Sequence, residues 1–294
     1  WKKAICCSEK VMRSFKEMRS SGRSTLTVKF FVVATVALTG FTHHASAATL
    51  DSVSHIHHVK VIENKVLVLT HEGLFELVGK NDMKLVGKDR IDVMGFTSLG
   101  KVLVASGHPA IGSKMPNPIG LVKSLDGGLT WKAISLVGKV DFHFLEGAGS
   151  DLYGADSQTG KFMYSADSGQ TWRTLGTNTF TDIAVSPEIP AMAIAIKNPE
   201  LILTRNAFES TTKIKNSLKI TQIEWRKSGL YALSGKTLYK STNSGKTWTK
   251  LNTFKGVLGI LSASDQLMLV TVGPDIYTST NSGESFKKIF QSGL

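Results

Sequence analysis

From residue 48 onward, apolar residues come in short bursts of four to six, rich in Val, Ile, Leu, Phe and Tyr, with Gly, Asn and Ser between them. Residues 59–62, 65–70 and 73–78 form one such set, followed by a shorter run at 84–86. The pattern recurs at 101–105 and 120–123, at 230–233 and 237–240, and at 266–271 and 275–278. β-Branched and aromatic enrichment between turn residues predicts strands. No ten-residue stretch after residue 48 carries the 3.6-residue period of an amphipathic helix.

The strands belong to a repeat. Ser124-Leu-Asp-Gly-Gly-Leu-Thr-Trp131, Ser165-Ala-Asp-Ser-Gly-Gln-Thr-Trp172, Ser241-Thr-Asn-Ser-Gly-Lys-Thr-Trp248 and Ser279-Thr-Asn-Ser-Gly-Glu-Ser-Phe286 align without gaps. Their starts lie 41, 76 and 38 residues apart, and the double gap holds a decayed copy at 204–211. Each copy reads as a tight hairpin. The Asp or Asn accepts backbone N–H groups across the turn, Gly supplies a positive φ, and the Trp anchors the next strand. These segments resemble the Asp-box, or BNR repeat, which in its family joins the third and fourth strands of a propeller blade. Asp126, Asp167, Asn243 and Asn281 are accordingly expected to be structural turn residues, and Trp131, Trp172 and Trp248 to be blade packing.

Short strands at a period of about 40 residues predict an all-β chain, a β-propeller. Boxes and box equivalents near 77, 124, 165, 204, 241 and 279 count six blades of four antiparallel strands, with seven as the alternative. The last box is followed by its own fourth strand at 286–290, so ring closure is expected to rest on blade packing more than on an exchanged strand.

Charge separates the leader from the body. Residues 1–47 hold eight Lys/Arg and two Asp/Glu; the rest holds 27 and 21, so each part is +6. A dispersed +6 over some 250 residues is not a nucleic-acid footprint, and no nucleic-acid partner is expected. Both cysteines, Cys6 and Cys7, lie in the leader, which excludes disulfides and thiolate chemistry from the body. Arg19, Arg23 and Lys29 precede an apolar run at 30–41 and the small-residue site Ala45-Ser-Ala47. That order reads as a secretory signal peptide over 18–47, with 1–17 as upstream sequence and 48–294 as one propeller domain. The expected location is secreted or cell envelope, as a monomer with no stable transmembrane span once the signal is cleaved.

Candidate chemistry gathers in the first three repeats. In repeat register the innermost strands carry His55, Asp92 and Asp141 in one column, and His57, Met94 and His143 two residues further on. His71 and His108 end the second strands of repeats one and two, and Asp156 ends that of repeat three. These residues are expected to converge on one sector of the channel rim. His55, His57, His71, Asp92, His108, His143 and Asp156 form the candidate ligand-binding set. Imidazoles with carboxylates suit a divalent metal, with His55, His57, His108 and His143 as candidate ligands. They equally suit acid–base chemistry, with Asp92 and Asp141 as candidate catalytic carboxylates.

A second resemblance covers nearly all of 54–294. His55 and His57, Thr70-His71-Glu-Gly-Leu-Phe75, Met94-Gly-Phe96, Ser106-Gly-His-Pro109, Asn117-Pro-Ile-Gly-Leu121, Asp141-Phe-His143 and Tyr153-Gly-Ala-Asp-Ser157 are similar to motifs of a bacterial exported BNR-repeat family labelled a glycosyl hydrolase. His58 stands where that family tends to have Gly. The resemblance implies a sialidase- or sortilin-like propeller without the sialidase site: only Arg90, Arg173, Arg205 and Arg226 lie in the body, and none falls in the inner-strand columns. Three functions follow as expectations. The first is binding of a small molecule, glycan or envelope protein at the His/Asp rim, with or without a divalent metal. The others are glycoside hydrolysis and envelope assembly or scaffolding.

Overall fold

A computed structural model describes residues 48–49, 53, 56–80, 82–273 and 275–290. Every regular element among them is a β-strand. After β1 (Ala48–Thr49), the first blade comprises β2 (Ile56–Ile62), β3 (Lys65–Thr70), β4 (Gly73–Leu77) and β5 (Asp82–Leu85). The second is β6 (Asp92–Leu99), β7 (Val102–His108), β8 (Leu121–Ser124) and β9 (Lys132–Ser135). The third is β10 (Phe142–Ala148), β11 (Asp151–Asp156), β12 (Lys161–Ser165) and β13 (Arg173–Thr177). The fourth is β14 (Asp182–Val185), β15 (Ala193–Lys197), β16 (Glu200–Thr204) and β17 (Thr212–Ile214). The fifth is β18 (Gln222–Arg226), β19 (Gly229–Ser234), β20 (Thr237–Ser241) and β21 (Thr249–Thr253). The sixth is β22 (Leu258–Ala263), β23 (Met268–Val272), β24 (Asp275–Ser279) and β25 (Lys287–Phe290). Each blade is an antiparallel meander in chain order, which makes the protein a six-bladed β-propeller. The leader and signal segment expected within 1–47 lie outside the described residues.

Burial follows position in the blade. The second strand is covered on both faces by neighbouring blades, so β11 is buried throughout and β3 and β15 nearly so. These strands are near-continuous runs of apolar or small residues, as two-sided burial requires. The fourth strands, such as β13, face solvent. Seams between blades are apolar: Leu67, Leu69 and Leu74 of blade one pack with Val93, Phe96 and Leu103 of blade two. Each buried Leu of this kind contributes about 1.5–3 kcal/mol.

The ring closes without strand exchange. Val59, Val61 and Val66 of blade one pack against Leu269, Ile276 and Phe290 of blade six. The Val61 amide also donates to Ser262 Oγ across this seam (2.9 Å). The one addition to the expected pattern is β1, which pairs antiparallel with β5 and makes blade one five-stranded.

The box loops behave as turns. Ser124 Oγ donates to Asp126 Oδ1 (2.7 Å) and accepts from the Gly128 amide (2.8 Å), while the Thr130 amide and hydroxyl donate to the two Asp126 oxygens (2.9 and 2.6 Å). These bonds hold the Asp126 and Asp167 carboxyls at about 2. Asn243 and Asn281 accept the equivalent amides of Thr247 and Ser285. The decayed copy keeps the same wiring through Thr204, Asn206 and Ser210. Two consecutive residues, not one, take positive φ in each loop. At Gly169 a Cβ would fall 2.1 Å from Leu121 Cδ2, so a side chain there would have to displace that methyl as well as adopt the positive φ. In the decayed copy Phe208 takes this position, and its ring fills the seam instead, packing on Tyr153, Phe162 and Phe180.

Candidate functional site

The rim where the inner strands begin is the end at which the second strands finish, so residues from adjacent blades meet there. Four inner strands are irregular at that point: β22 of blade six slips against β23 between Leu258 and Leu261, leaving Gly259 and Ile260 unpaired, and the strands of blades one to three slip likewise. The pairing of β2 with β3 slips between Ile56 and His58, that of β6 with β7 between Val93 and Gly95, and that of β10 with β11 between Phe142 and Phe144. The unpaired residues of these three blades are His57, Met94 and His143, the column picked out by repeat register. A bulge bends its strand and re-aims the extra side chain. Blades four and five pair their inner strands without a slip.

The bulges help build two clusters. At the junction of blades one and two, His57 Nε2 lies 2.9 Å from Asp92 Oδ1, His71 Nδ1 lies 2.8 Å from Asp92 Oδ2, and the two ring nitrogens stand 3.3 Å apart. At the junction of blades two and three, His143 Nε2 is 2.8 Å and His108 Nε2 3.4 Å from Asp141 Oδ2. His71 and His108 are repeat equivalents, as are Asp92 and Asp141. Both clusters set one atom from each of two imidazoles and a carboxylate within 4.8 Å of one another.

Burial opposes ionisation of Asp92, but hydrogen bonds from His57 and His71 outweigh it and hold the carboxyl below its ordinary range. Asp141 is likewise buried yet shifted down, by His143 and Ser157, whose hydroxyl donates to Oδ2 (2.7 Å). Its Oδ1 is buried with no hydrogen-bond partner. Behind the cluster, His108 Nδ1 sits 2.8 Å from Asn117 Oδ1, which orients the ring and turns Nε2 toward Asp141. Gly107 makes the close approach possible: its φ is +146°, and a Cβ would fall 2.0 Å from the Asp92 carbonyl oxygen.

Of the predicted site residues, the structure unites His57, His71 and Asp92 in one cluster and His108, Asp141 and His143 in the other. His55 lies outside the described residues. Asp156 stands at its predicted strand end, but its carboxylate faces backbone, accepting the amides of Asp141, Gln158 and Thr159 and the Thr159 hydroxyl. It braces the strand end that carries Asp141.

Sequence reasoning missed the channel below the rim. A cavity of about 120 Å³ is lined there by His58, Lys60, Glu146, Asp182, Gln222 and Glu224, among others. Lys60 pairs with Glu146, and Arg226 with Glu224 (2.8 Å). Burial pushes the Asp182 carboxyl up to about 7 and raises Glu224. Burial would lower the Lys60 ammonium, but Glu146 and Glu224 raise it. His58 is pushed down to about 4 by its enclosure in protein, then by Lys60, His57 and His143. The available signal was a charged residue between apolar neighbours on an inner strand, as in Val59-Lys60-Val61 and Ile223-Glu224-Trp225.

No protein-family model matches the sequence, and no curated protein matches it. Solved structures share its fold. YCF48 bound to D1 peptide superposes with a TM-score of 0.52 at 14% identity, covering 82% of this chain and 83% of that one. PorZ, a surface component of the type-IX secretion system of Porphyromonas gingivalis, gives 0.55 at 13% identity over 82% of this chain. The GH74 xyloglucanase of Xanthomonas campestris gives 0.52 at 12% identity over 79%. The matched regions span 33% of PorZ and 45% of the xyloglucanase. At these identities the likeness is one of fold.

Proposed function

We propose that this is an exported propeller of the Asp-box type that binds its ligand at the rim of blades one to three through divalent transition-metal ions. The observation that carries the reading is the pair of His₂–Asp clusters, each with three donor atoms within 4.8 Å. Ligands about 2.0–2.2 Å from a zinc-like ion stand about 2.8–3.6 Å from one another in near-octahedral to tetrahedral geometry. The imidazole–carboxylate spacings of 2.8–3.4 Å and the 3.3 Å between the His57 and His71 nitrogens fall within that range. The unpartnered Asp141 Oδ1 supports a cation there, since a buried carboxylate oxygen left without a partner is costly. Three protein ligands leave positions open, so the ion would hold an anionic or neutral donor from the ligand at the rim.

Glycoside hydrolysis is less well supported. It needs one carboxyl kept protonated near neutral pH beside an ionised one. Asp92 and Asp141 are both held ionised by their imidazoles. The carboxyls that are raised, Asp182 and Glu224, face a cavity of about 120 Å³. That is well below the roughly 300 Å³ at which ligand pockets begin. A peptide or envelope protein is the alternative occupant of the rim, and YCF48 with its D1 peptide is a precedent on this fold.

Calorimetric titration of the metal-free protein with Zn²⁺ tests the proposal. Two equivalents are expected, with one lost in His57→Ala and the other in His143→Ala. Equal uptake by the wild type and both variants would overturn it.

A further inference from the structure

The half of the rim without imidazoles carries a different chemistry. In blades four to six the loops on the rim side hold Lys215, Lys219, Lys236 and Lys255 and no acidic residue, and Lys197 ends β15 beside them. All five are exposed, and among the described residues none is ion-paired. The acids at the neighbouring strand ends are already matched, Glu200 by Lys213 (in contact) and Asp275 by Lys288 (2.7 Å). The loops on the opposite face of the same blades hold Arg205, Lys227 and Lys246 against Glu188, Glu209, Asp265 and Glu284. Counted over loops alone, one face is therefore +4 and the other −1, so the bias belongs to the rim and not to the blades as a whole. The rim-side loops of blades one to three are nearly balanced, with Lys88, Arg90, Lys114 and Lys139 beside Glu72, Asp89 and Asp141.

The lysines sit on or beside successive loops around an arc. Lys236 and Lys255 are brought together by backbone bonds from Phe254 to the Lys236 carbonyl (2.9 Å) and from Leu258 to Gly235 (3.0 Å). Lys197, Lys215 and Lys219 continue the arc across the fourth blade and its junction with the fifth. A single small anion reaches one or two of these groups; a chain of charges follows all five. The arc has no arginine fork for a planar oxyanion. Phe254, on the same loop as Lys255, is half-buried against Tyr277 and Phe286, and among the described residues no exposed aromatic ring stands on the arc to stack a nucleobase. Among the described residues Val257 is the one exposed large aliphatic residue on it, too little apolar surface for insertion into a lipid interface.

We infer that the basic arc of blades four to six binds a linear, non-aromatic phosphate polymer, by charge and independently of the metal clusters. The probe is medium-chain inorganic polyphosphate, with EDTA present throughout so that loss of the metal reading leaves this test intact. Binding is expected at 50 mM salt and should weaken about 100-fold by 200 mM if five charges are engaged. The triple variant Lys215→Glu/Lys219→Glu/Lys255→Glu is expected to lose at least about tenfold in affinity. The opposite-face control Arg205→Glu/Lys227→Glu/Lys246→Glu should lose less than about threefold. All six positions are exposed, so both variants should keep the wild-type melting temperature. Equal losses in the two variants, or competition by orthophosphate at equal total phosphate, would overturn the inference. So would binding to phosphatidylglycerol vesicles without binding to polyphosphate, which would make the arc a membrane contact.

Discussion

Blades one to three and blades four and five are built from the same meander, yet they present opposite chemistries to the channel mouth. In the first group each inner strand is interrupted by a bulge, and two of the three extra residues are histidines, His57 directed at Asp92 of the next blade and His143 at Asp141 two residues before it. In the second group the inner strands pair regularly and their carboxyls turn into the channel. Asp92 and Asp141 are shifted down by imidazole and hydroxyl partners, while Asp182 is shifted up by burial. The acids beside the bulged rim are thus shifted down, and the acid in the channel wall is shifted up. The lesson is that in a repeat fold, where an acid sits controls its ionisation as strongly as residue identity does.

The bluntest way to break this comparison is Gly107→Ala. The new methyl would meet the Asp92 carbonyl, and nearby backbone must shift. A loss of about 3 kcal/mol or more in urea unfolding is expected, together with loss of metal uptake at both clusters. Full stability would show that the bulged junction is not tightly determined.

Next in size is the opposite pH response of the two kinds of acid. A folded-state value near 7 for Asp182 means the native state binds a proton that the unfolded chain releases near 4. Its contribution to stability therefore falls as pH rises from about 4 to 7, and Asp182→Asn should recover about 2–4 kcal/mol at pH 7.5. Asp92 and Asp141 have the reverse sign. Their folded values lie below the ordinary one, so their contribution is intact above about pH 4 and is lost as pH falls below it. Stability–pH curves of Asp182→Asn and Asp141→Asn should diverge from wild type at opposite ends. Parallel curves would contradict the assignment.

A finer probe is Asn117→Ala, which removes the support behind His108 without touching a proposed ligand. Zn²⁺ affinity is expected to fall about 10–100-fold at one site and to be unchanged at the other. The smallest effect belongs to the box turns. Asn243→Ala loses the bond from the Thr247 amide and should cost about 1 kcal/mol, with no change in metal binding.

Much of this was legible in the chain. Serine, Asp or Asn, Gly and Trp at constant spacing prescribe a turn whose wiring is local, so the box loops and the number of blades followed from residue types alone. Even the decayed box could be located by period, because Thr204, Asn206 and Ser210 retain the bonding groups. The histidine column was visible because His57, Met94 and His143 recur in register. Asn117 stayed hidden as a site residue, since nothing in an Asn-Pro turn announces a ring nitrogen behind it. Asp156 looked like a rim ligand and instead braces a strand end, because its carboxylate is within reach of three amides that only the folded turn brings together.

By itself, then, the sequence determined the elements, their repeat and the ring, because hairpin turns and alternating burial are short-range properties. Only the tertiary structure decided which imidazole meets which carboxylate, where the bulges fall, and which acids end in the channel wall. Those outcomes depend on contacts between blades some 40 residues apart, and on the dielectric surroundings that such contacts create.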